Sequence, residues 1–129
     1  MSDFKKLKVW RKAHALALNV HRAVALVRGT DNAPLRSQLL RAATSVPTNI
    51  VEGTGQMSGK EFGRFLSIAL KSTSELEYHL LISRDLRLII VSEFEALSSQ
   101  TIEVRKMLHG LRNRVVVVPK SPPSNVPAS

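Results

Sequence analysis

The chain has 129 residues, of which 43% are hydrophobic, with no cysteine and a formal net charge of +9. This length fits one domain with a buried core, and the lack of cysteine excludes disulfides and thiolate metal sites. No apolar run approaches the ~20 residues of a membrane span, and polar residues interrupt the apolar stretch after the basic start. We therefore expect a cytoplasmic protein with neither a membrane span nor a secretory signal.

Four helices are predicted, and the first two occupy the N-terminal half. The first covers about residues 4–28, which contain no Gly or Pro and are rich in Ala and Leu. The second covers about 33–52 and ends at Gly53. Pro47 lies inside it, and because proline lacks a backbone N–H it predicts a bend near residues 43–45.

The third and fourth helices are introduced by capping motifs. Ser58-Gly-Lys-Glu61 has the pattern of a capping box and opens a helix that runs to about Arg87. A second box, Ser92-Glu-Phe-Glu95, is predicted to start the fourth helix, which ends near Gly110. The apolar stripe of the third helix has helical spacing and comprises Phe62, Phe65, Leu66, Ala69, Thr73, Leu76 and Leu80.

Short connections between consecutive helices make neighbours antiparallel. The predicted fold is therefore all-α, an antiparallel up-down-up-down four-helix bundle with a disordered C-terminal tail. We place the bundle domain at residues 1–112 and a Pro-rich flexible tail at 113–129. The β-favouring run Val115–Val118 is too short to form a sheet alone.

The excess positive charge lies at the two ends of the chain. Residues 1–30 hold seven Lys or Arg against one acid, residues 111–129 hold three and no acid, and residues 31–110 are neutral. Such ends favour a polyanionic partner, most simply nucleic acid bound through its backbone phosphates; the alternative is an ordinary solvated helix face. The candidate nucleic-acid-binding residues are Lys5, Lys8, Arg11, Lys12, Arg22, Arg112, Arg114 and Lys120.

The aromatic residues and histidines suggest no further site. Aromatic residues are few and are expected in the core, so no base-stacking platform is predicted. His14 and His21 are seven residues apart on the apolar side of the first helix. That is about 10 Å, too far for one metal ion. We predict that they are packed or hydrogen-bonded structural histidines, with a subunit-interface or pH-linked role as the alternative, and we predict no metal or cofactor.

A polar set lies among apolar residues of the second and third helices: Arg41, Asn49, Glu52 and Glu75. We interpret it as a structural network that fixes helix register, with Arg41 paired to Glu75. General acid–base catalysis by Glu52 and Glu75 is the alternative, but no activated nucleophile accompanies them. The chain is therefore expected not to be an enzyme.

Two segments carry a family resemblance. Residues 41–53, RAATSVPTNIVEG, and residues 61–76, EFGRFLSIALKSTSEL, resemble the bacterial four-helix-bundle proteins encoded by intervening sequences of large-subunit ribosomal RNA genes. The resemblance covers about residues 4–110 and implies ring-like homopentamers without known catalytic residues. It also implies a fold similar to the accessory variability determinant of diversity-generating retroelements, which binds nucleic acid and a reverse transcriptase.

Together these features predict a non-enzymatic, oligomeric protein that binds RNA or DNA without sequence specificity and assists a reverse transcriptase or a ribosomal RNA process. The alternative is a protein–protein interaction scaffold that binds no nucleic acid.

Overall fold

A computed structural model describes residues 3–117. A 3-10 turn, Phe4–Lys6, precedes α1 (Lys8–Val24), and a second, Thr30–Asn32, precedes α2 (Ala33–Thr54). The chain continues with α3 (Gly59–Asp85) and α4 (Val91–Val117), and the described residues contain no strand. The all-α prediction is confirmed. Most of the predicted tail, residues 118–129, lies outside the described residues.

The four helices form a closed ring of neighbours. Contacts join α1 to α2, α2 to α3, α3 to α4 and α4 back to α1, whereas no diagonal pair of described helices touches. Because the connections are short, each helix runs antiparallel to the next, which confirms the up-down-up-down bundle. No helix within residues 3–117 combines the length and the apolar character needed to cross a bilayer.

The core is built from the predicted apolar stripes. On α3, Leu66, Ala69, Leu76 and Leu80 are almost completely buried. Thr73 is buried among them, and its hydroxyl donates to the Leu70 carbonyl at 2.7 Å, so its polar atom does not destabilise the core. α2 remains α-helical through buried Pro47.

α1 is shorter than predicted. Leu7 has extended backbone angles, φ −77° and ψ 125°, and separates the first turn from α1. After Val24 the chain leaves the helix and buries Val27. Arg36 stabilises this turn because its Nη1 donates to the carbonyls of Val27 and Gly29. The burial of one more apolar side chain therefore ends the helix before Arg28.

α4 differs from the prediction at both ends. It begins at Val91, so Ser92 lies inside the first turn and the predicted second capping box is wrong. It also continues through Gly110 to Val117. Leu111 is buried and Val115 packs against the core, and this burial keeps the chain helical beyond the glycine.

Two glycines of α3 make room for the last turns of α4. A Cβ at Gly59 would collide with the Val115 carbonyl oxygen, and one at Gly63 with Cγ2 of Val116. The first α3 turn is capped as predicted, since the Ser58 hydroxyl accepts from the Glu61 amide at 3.1 Å. The close approach of α3 and α4 therefore places the C-terminal part of α4 beside the start of α3.

Candidate nucleic-acid interface

The antiparallel bundle brings the two basic ends of the sequence to the same place. The start of α1, the end of α2, the start of α3 and the end of α4 meet at one end of the bundle. We call this the terminal end and define it as residues 3–8, 52–64 and 106–117. Its basic residues are Lys5, Lys6, Lys8, Lys60, Arg64, Lys106, Arg112 and Arg114, and its acids are Asp3, Glu52 and Glu61.

The opposite end of the bundle is neutral. We define this far end as residues 24–36 and 84–95. Four basic residues (Arg28, Arg36, Arg84, Arg87) balance four acids there (Asp31, Asp85, Glu93, Glu95). In the described part of the molecule, charge is therefore distributed unevenly along the bundle axis, and the excess positive charge lies at the terminal end.

A groove between α1 and α4 opens at the terminal end. Lys8, Lys106 and Arg114 surround it, and its volume is about 450 Å³. Apolar side chains, including Leu7 and Leu111, form its floor. Three cations over an apolar floor suit an anionic ligand because the low-dielectric wall strengthens the field of the charges.

A second groove of about 540 Å³ lies between the start of α3 and the end of α4. Lys60 and Arg64 come from α3, and Arg112 comes from α4. Arg112 Nη1 donates to Ser67 Oγ at 3.3 Å, which holds the guanidinium at the rim. Arg64 also pairs with Glu61 at 3.0 Å, so its charge is partly compensated.

Most of the sequence-predicted cations on α1 have no carboxylate partner. Lys12 pairs with Glu103 at 3.4 Å. Arg11 donates to the Lys5 carbonyl at 3.0 Å, and Arg22 donates to a side-chain amide oxygen. Within residues 3–117, no ion pair involves Lys5, Lys8, Arg11 or Arg22.

The structure gathers part of the predicted set and separates the rest. Lys5, Lys8, Arg112 and Arg114 lie at the terminal end. Arg22 is about 21 Å from Lys8 along the helix axis, at ~1.5 Å per residue. Lys120 lies outside the described residues. Sequence reasoning missed four further cations at this end: Lys6, Lys60, Arg64 and Lys106. Placing the predicted helix boundaries in an antiparallel bundle would have located the α3 pair.

The local electrostatics of α1 favour an anion at its start. The N-terminal turn of α1 contains no acid, and its N-cap residue, Leu7, makes no side-chain capping bond. Lys8 and Arg11 occupy this turn and Lys5 and Lys6 precede it. Cations at the positive end of a helix dipole destabilise it by about 0.3–1 kcal/mol each when exposed. An anion at this position relieves that repulsion.

The predicted polar set is divided into separate contacts. Arg41 Nη2 lies 3.5 Å from Glu75 Oε2, with both side chains about half exposed. Asn49 instead donates to the Ser45 hydroxyl at 3.0 Å, and that hydroxyl contacts Ser72 Oγ at 2.7 Å. The register between α2 and α3 is therefore marked by two independent polar contacts.

Glu52 and Glu75 are not brought together. Glu52 is exposed and precedes Gly53, which packs against Phe62 and Phe65 of α3. Glu75 is ten residues beyond Phe65 on α3, or about 15 Å along the axis. This spacing is too large for the two carboxylates to act on one bond.

The two N-terminal histidines lie at the surface of the bundle, and His21 is hydrogen-bonded as predicted, with its Nδ1 2.9 Å from the Ala17 carbonyl oxygen. His14 and His21 are exposed and line a groove between α1 and α2. Phe4 and Trp10 line the same groove. Trp10 is partly buried and packs against the core as predicted, whereas Phe4 lies outside the core cluster and Tyr78 is 60% exposed, so the prediction that the aromatic residues belong to the core is wrong for Phe4 and Tyr78. No cluster of three potential metal ligands occurs within residues 3–117.

Comparison with known proteins gives a family and a fold. The model of the family described as "23S rRNA-intervening sequence protein" matches residues 5–110. Among solved structures, the chain is similar to a protein of unknown function from the S23 ribosomal protein family of Bacteroides thetaiotaomicron. The TM-score is 0.76 and the identity 28%, over 81% of this chain and 97% of that chain. No curated protein matches the sequence.

Proposed function

Since the chain belongs to the 23S rRNA-intervening sequence protein family, we propose that it is a non-enzymatic, cytoplasmic protein that binds the phosphate backbone of RNA or DNA. The proposal rests on one observation: cations from both ends of the sequence meet at the terminal end. Phosphate contacts from Lys and Arg supply affinity without reading sequence. The binding is therefore expected to be sequence-nonspecific.

The terminal end has the features that backbone binding needs. Several grooves open there, and Lys8, Lys106 and Arg114 line the one between α1 and α4. The uncapped start of α1 adds a partial positive charge. Lys12 contributes less than its position in the sequence suggests, because Glu103 compensates it.

Salt dependence tests this mechanism. Binding of a labelled RNA, followed by fluorescence anisotropy, is expected to weaken steeply with salt. The log–log slope should be about −0.7 to −0.9 per phosphate neutralised. An affinity that does not change with salt concentration would contradict the proposal.

A matched pair of variants localises the interface. The double variant Lys8→Gln/Lys106→Gln should reduce the salt slope by roughly 1.4 to 1.8 and weaken binding to every sequence alike. The control, Arg28→Gln/Lys71→Gln, removes two exposed cations outside the terminal end and should leave the slope unchanged. Equal losses in both variants would show that net charge, not the terminal end, governs binding.

We further propose that the protein acts as a homo-oligomer, a pentamer, and assists a reverse transcriptase or a ribosomal RNA process. A ring that repeats the terminal end would multiply phosphate contacts and raise avidity. Multi-angle light scattering measures the assembly directly. A monomer at micromolar concentration would contradict the pentamer without affecting the backbone contacts of a single chain.

A protein-interaction scaffold is the second candidate, and the far end favours it. Leu26, Leu86, Ile90 and Val91 are between 59% and 70% exposed at this neutral end. Clustered exposed apolar side chains are typical of protein contacts. A partner recovered after nuclease treatment, and lost in Ile90→Ser/Val91→Ser, would support the scaffold. Retention of the partner in that variant would exclude the far end as its contact.

A further inference from the structure

The aromatic and histidine rings of the first 21 residues line a groove between α1 and α2. Its volume is about 380 Å³, and Phe4, Trp10, His14 and His21 form one wall. The opposite wall is mainly apolar and includes Pro47. We call it the aromatic groove. None of the functional assignments above uses it.

The rings in the aromatic groove are arranged as a stack. The Trp10 and His14 rings are nearly parallel, with an interplanar angle of 8° and a centroid distance of 4.8 Å. Phe4 meets Trp10 edge-on at 4.9 Å. His21 lies about two turns further along α1, where its Nδ1 is 2.9 Å from the Ala17 carbonyl oxygen. Exposed His14 therefore extends the ring surface of partly buried Trp10 towards solvent.

The walls of the aromatic groove suit a ligand with a flat, weakly polar face. The Thr48 hydroxyl in the facing wall donates to the Thr44 carbonyl at 2.8 Å, so this donor is already used within α2. Val51 and Pro47 add apolar surface. Such walls offer ring faces and few free polar groups. They suit stacking, which every nucleobase can provide, better than the reading of base edges.

The aromatic groove adjoins the proposed phosphate-binding residues. Phe4 lies in the same turn as Lys5 and Lys6. Arg11 follows Trp10, and its guanidinium is held at the Lys5 carbonyl. Rings and cations thus alternate along one short segment. This combination of stacking surface and charged track is typical of single-strand binding.

We propose that the nucleic acid bound by this protein is single-stranded and that one or more of its bases stack in the aromatic groove. This inference rests on the proposed backbone binding and specifies its substrate class. A duplex keeps its bases stacked inside, so it can offer phosphates to the terminal end but no free ring face to Trp10. An unpaired strand can offer both.

Trp10 is the single tryptophan of the chain, so its fluorescence reports on the aromatic groove alone. The assay titrates the full-length protein with an oligothymidylate of about 20 nucleotides, enough to span a site of typical size. An abasic strand of equal length and charge is the control. We expect the oligothymidylate to quench Trp10 and to bind about tenfold more tightly, equivalent to ~1.4 kcal/mol. The abasic strand and a duplex should bind with little quenching.

Two variants separate stacking from folding. His14→Ala removes an exposed ring and leaves Trp10 as the reporter, and it should reduce the preference for the base-containing strand at least threefold, or ~0.65 kcal/mol. Trp10→Leu should abolish the preference when binding is followed by anisotropy. Tyr78→Ala removes an exposed aromatic ring from α3, 60% exposed, and should change nothing.

The outcomes distinguish this inference from the proposed function. Equal, salt-sensitive binding of abasic and base-containing strands without quenching would overturn the stacking inference and leave backbone binding intact. No binding of either strand would overturn both. If Trp10 becomes shielded from acrylamide as protein concentration rises, and oligothymidylate then has no effect on it, the groove is an interface between copies of the chain and the inference is wrong.

Discussion

Gly53→Ala and Gly110→Ala should change stability in opposite directions, although both replace a helical glycine. At Gly110 the nearest atom to a new Cβ is Arg114 Nη1 at 3.7 Å, an ordinary contact. At Gly53 a Cβ would lie 2.6 Å from Phe62 Cδ1 and 3.2 Å from Phe65 Cβ. The first site can accept a methyl group without movement, whereas the second requires the Phe62 ring to move.

The magnitudes follow from two opposing terms. Replacing glycine by alanine in a helix stabilises it by up to about 1 kcal/mol because alanine loses less backbone entropy. Gly110→Ala should realise most of this gain and raise Tm by roughly 3–5 °C for a domain of this size. Inserting a methyl into a packed interface costs about 1–3 kcal/mol. Gly53→Ala should therefore lower the free energy of unfolding by about 0.5–2 kcal/mol.

Urea unfolding of both variants, followed by circular dichroism, checks the difference. The two midpoints should move in opposite directions while the m-values stay equal to that of the parent protein. If Gly53→Ala stabilises as much as Gly110→Ala, the close approach of α2 and α3 at Phe62 does not limit packing. The explanation of Gly53 by that contact would then be wrong.

Further predictions concern a cap, a polar contact and a surface ion pair. Ser58→Ala removes the side-chain cap of α3 and should lower the free energy of unfolding by about 1 kcal/mol, measured by thermal unfolding; a stability equal to that of the parent protein would contradict a capping role for the hydroxyl. Ser72→Ala leaves Ser45 with one fewer partner and should cost about 0.5–1.5 kcal/mol, whereas a neutral result would show that water replaces the bond. Glu103→Gln should change stability by less than ~1 kcal/mol because the pair is exposed. The same variant frees Lys12, so RNA affinity measured by anisotropy should rise, and an unchanged affinity would place Lys12 outside the interface.

The neutral far end and the positive terminal end would separate the two proposed kinds of partner, protein and nucleic acid, along the bundle axis. Exposed apolar residues such as Ile90 and Val91 belong to the far end, and the cations belong to the other. Nucleic acid bound at the terminal end, as proposed, would leave the far end uncovered. A protein partner and a polyanion can then be tested separately on the same molecule.

The amino-acid sequence by itself determined the number of helices and most of their core residues. Apolar residues at helical spacing predicted the α3 stripe, and Ser58 predicted the start of α3, because both signals depend on residues less than a turn or two apart. The sequence also predicted the Arg41–Glu75 contact, because adjacent antiparallel helices pair residues in a regular register.

Only the tertiary structure decided where α1 and α4 end and which cations share a surface. Burial of Val27 ends α1 early, and contact of Val115 with the core extends α4 beyond Gly110. Both outcomes depend on neighbours distant in sequence, which local propensity does not contain. The joining of Lys8 and Lys106 around one groove has the same origin. Chain reversal in the bundle brings the two charged ends together, so their meeting follows from the sequence only after the predicted helices are placed in an antiparallel bundle.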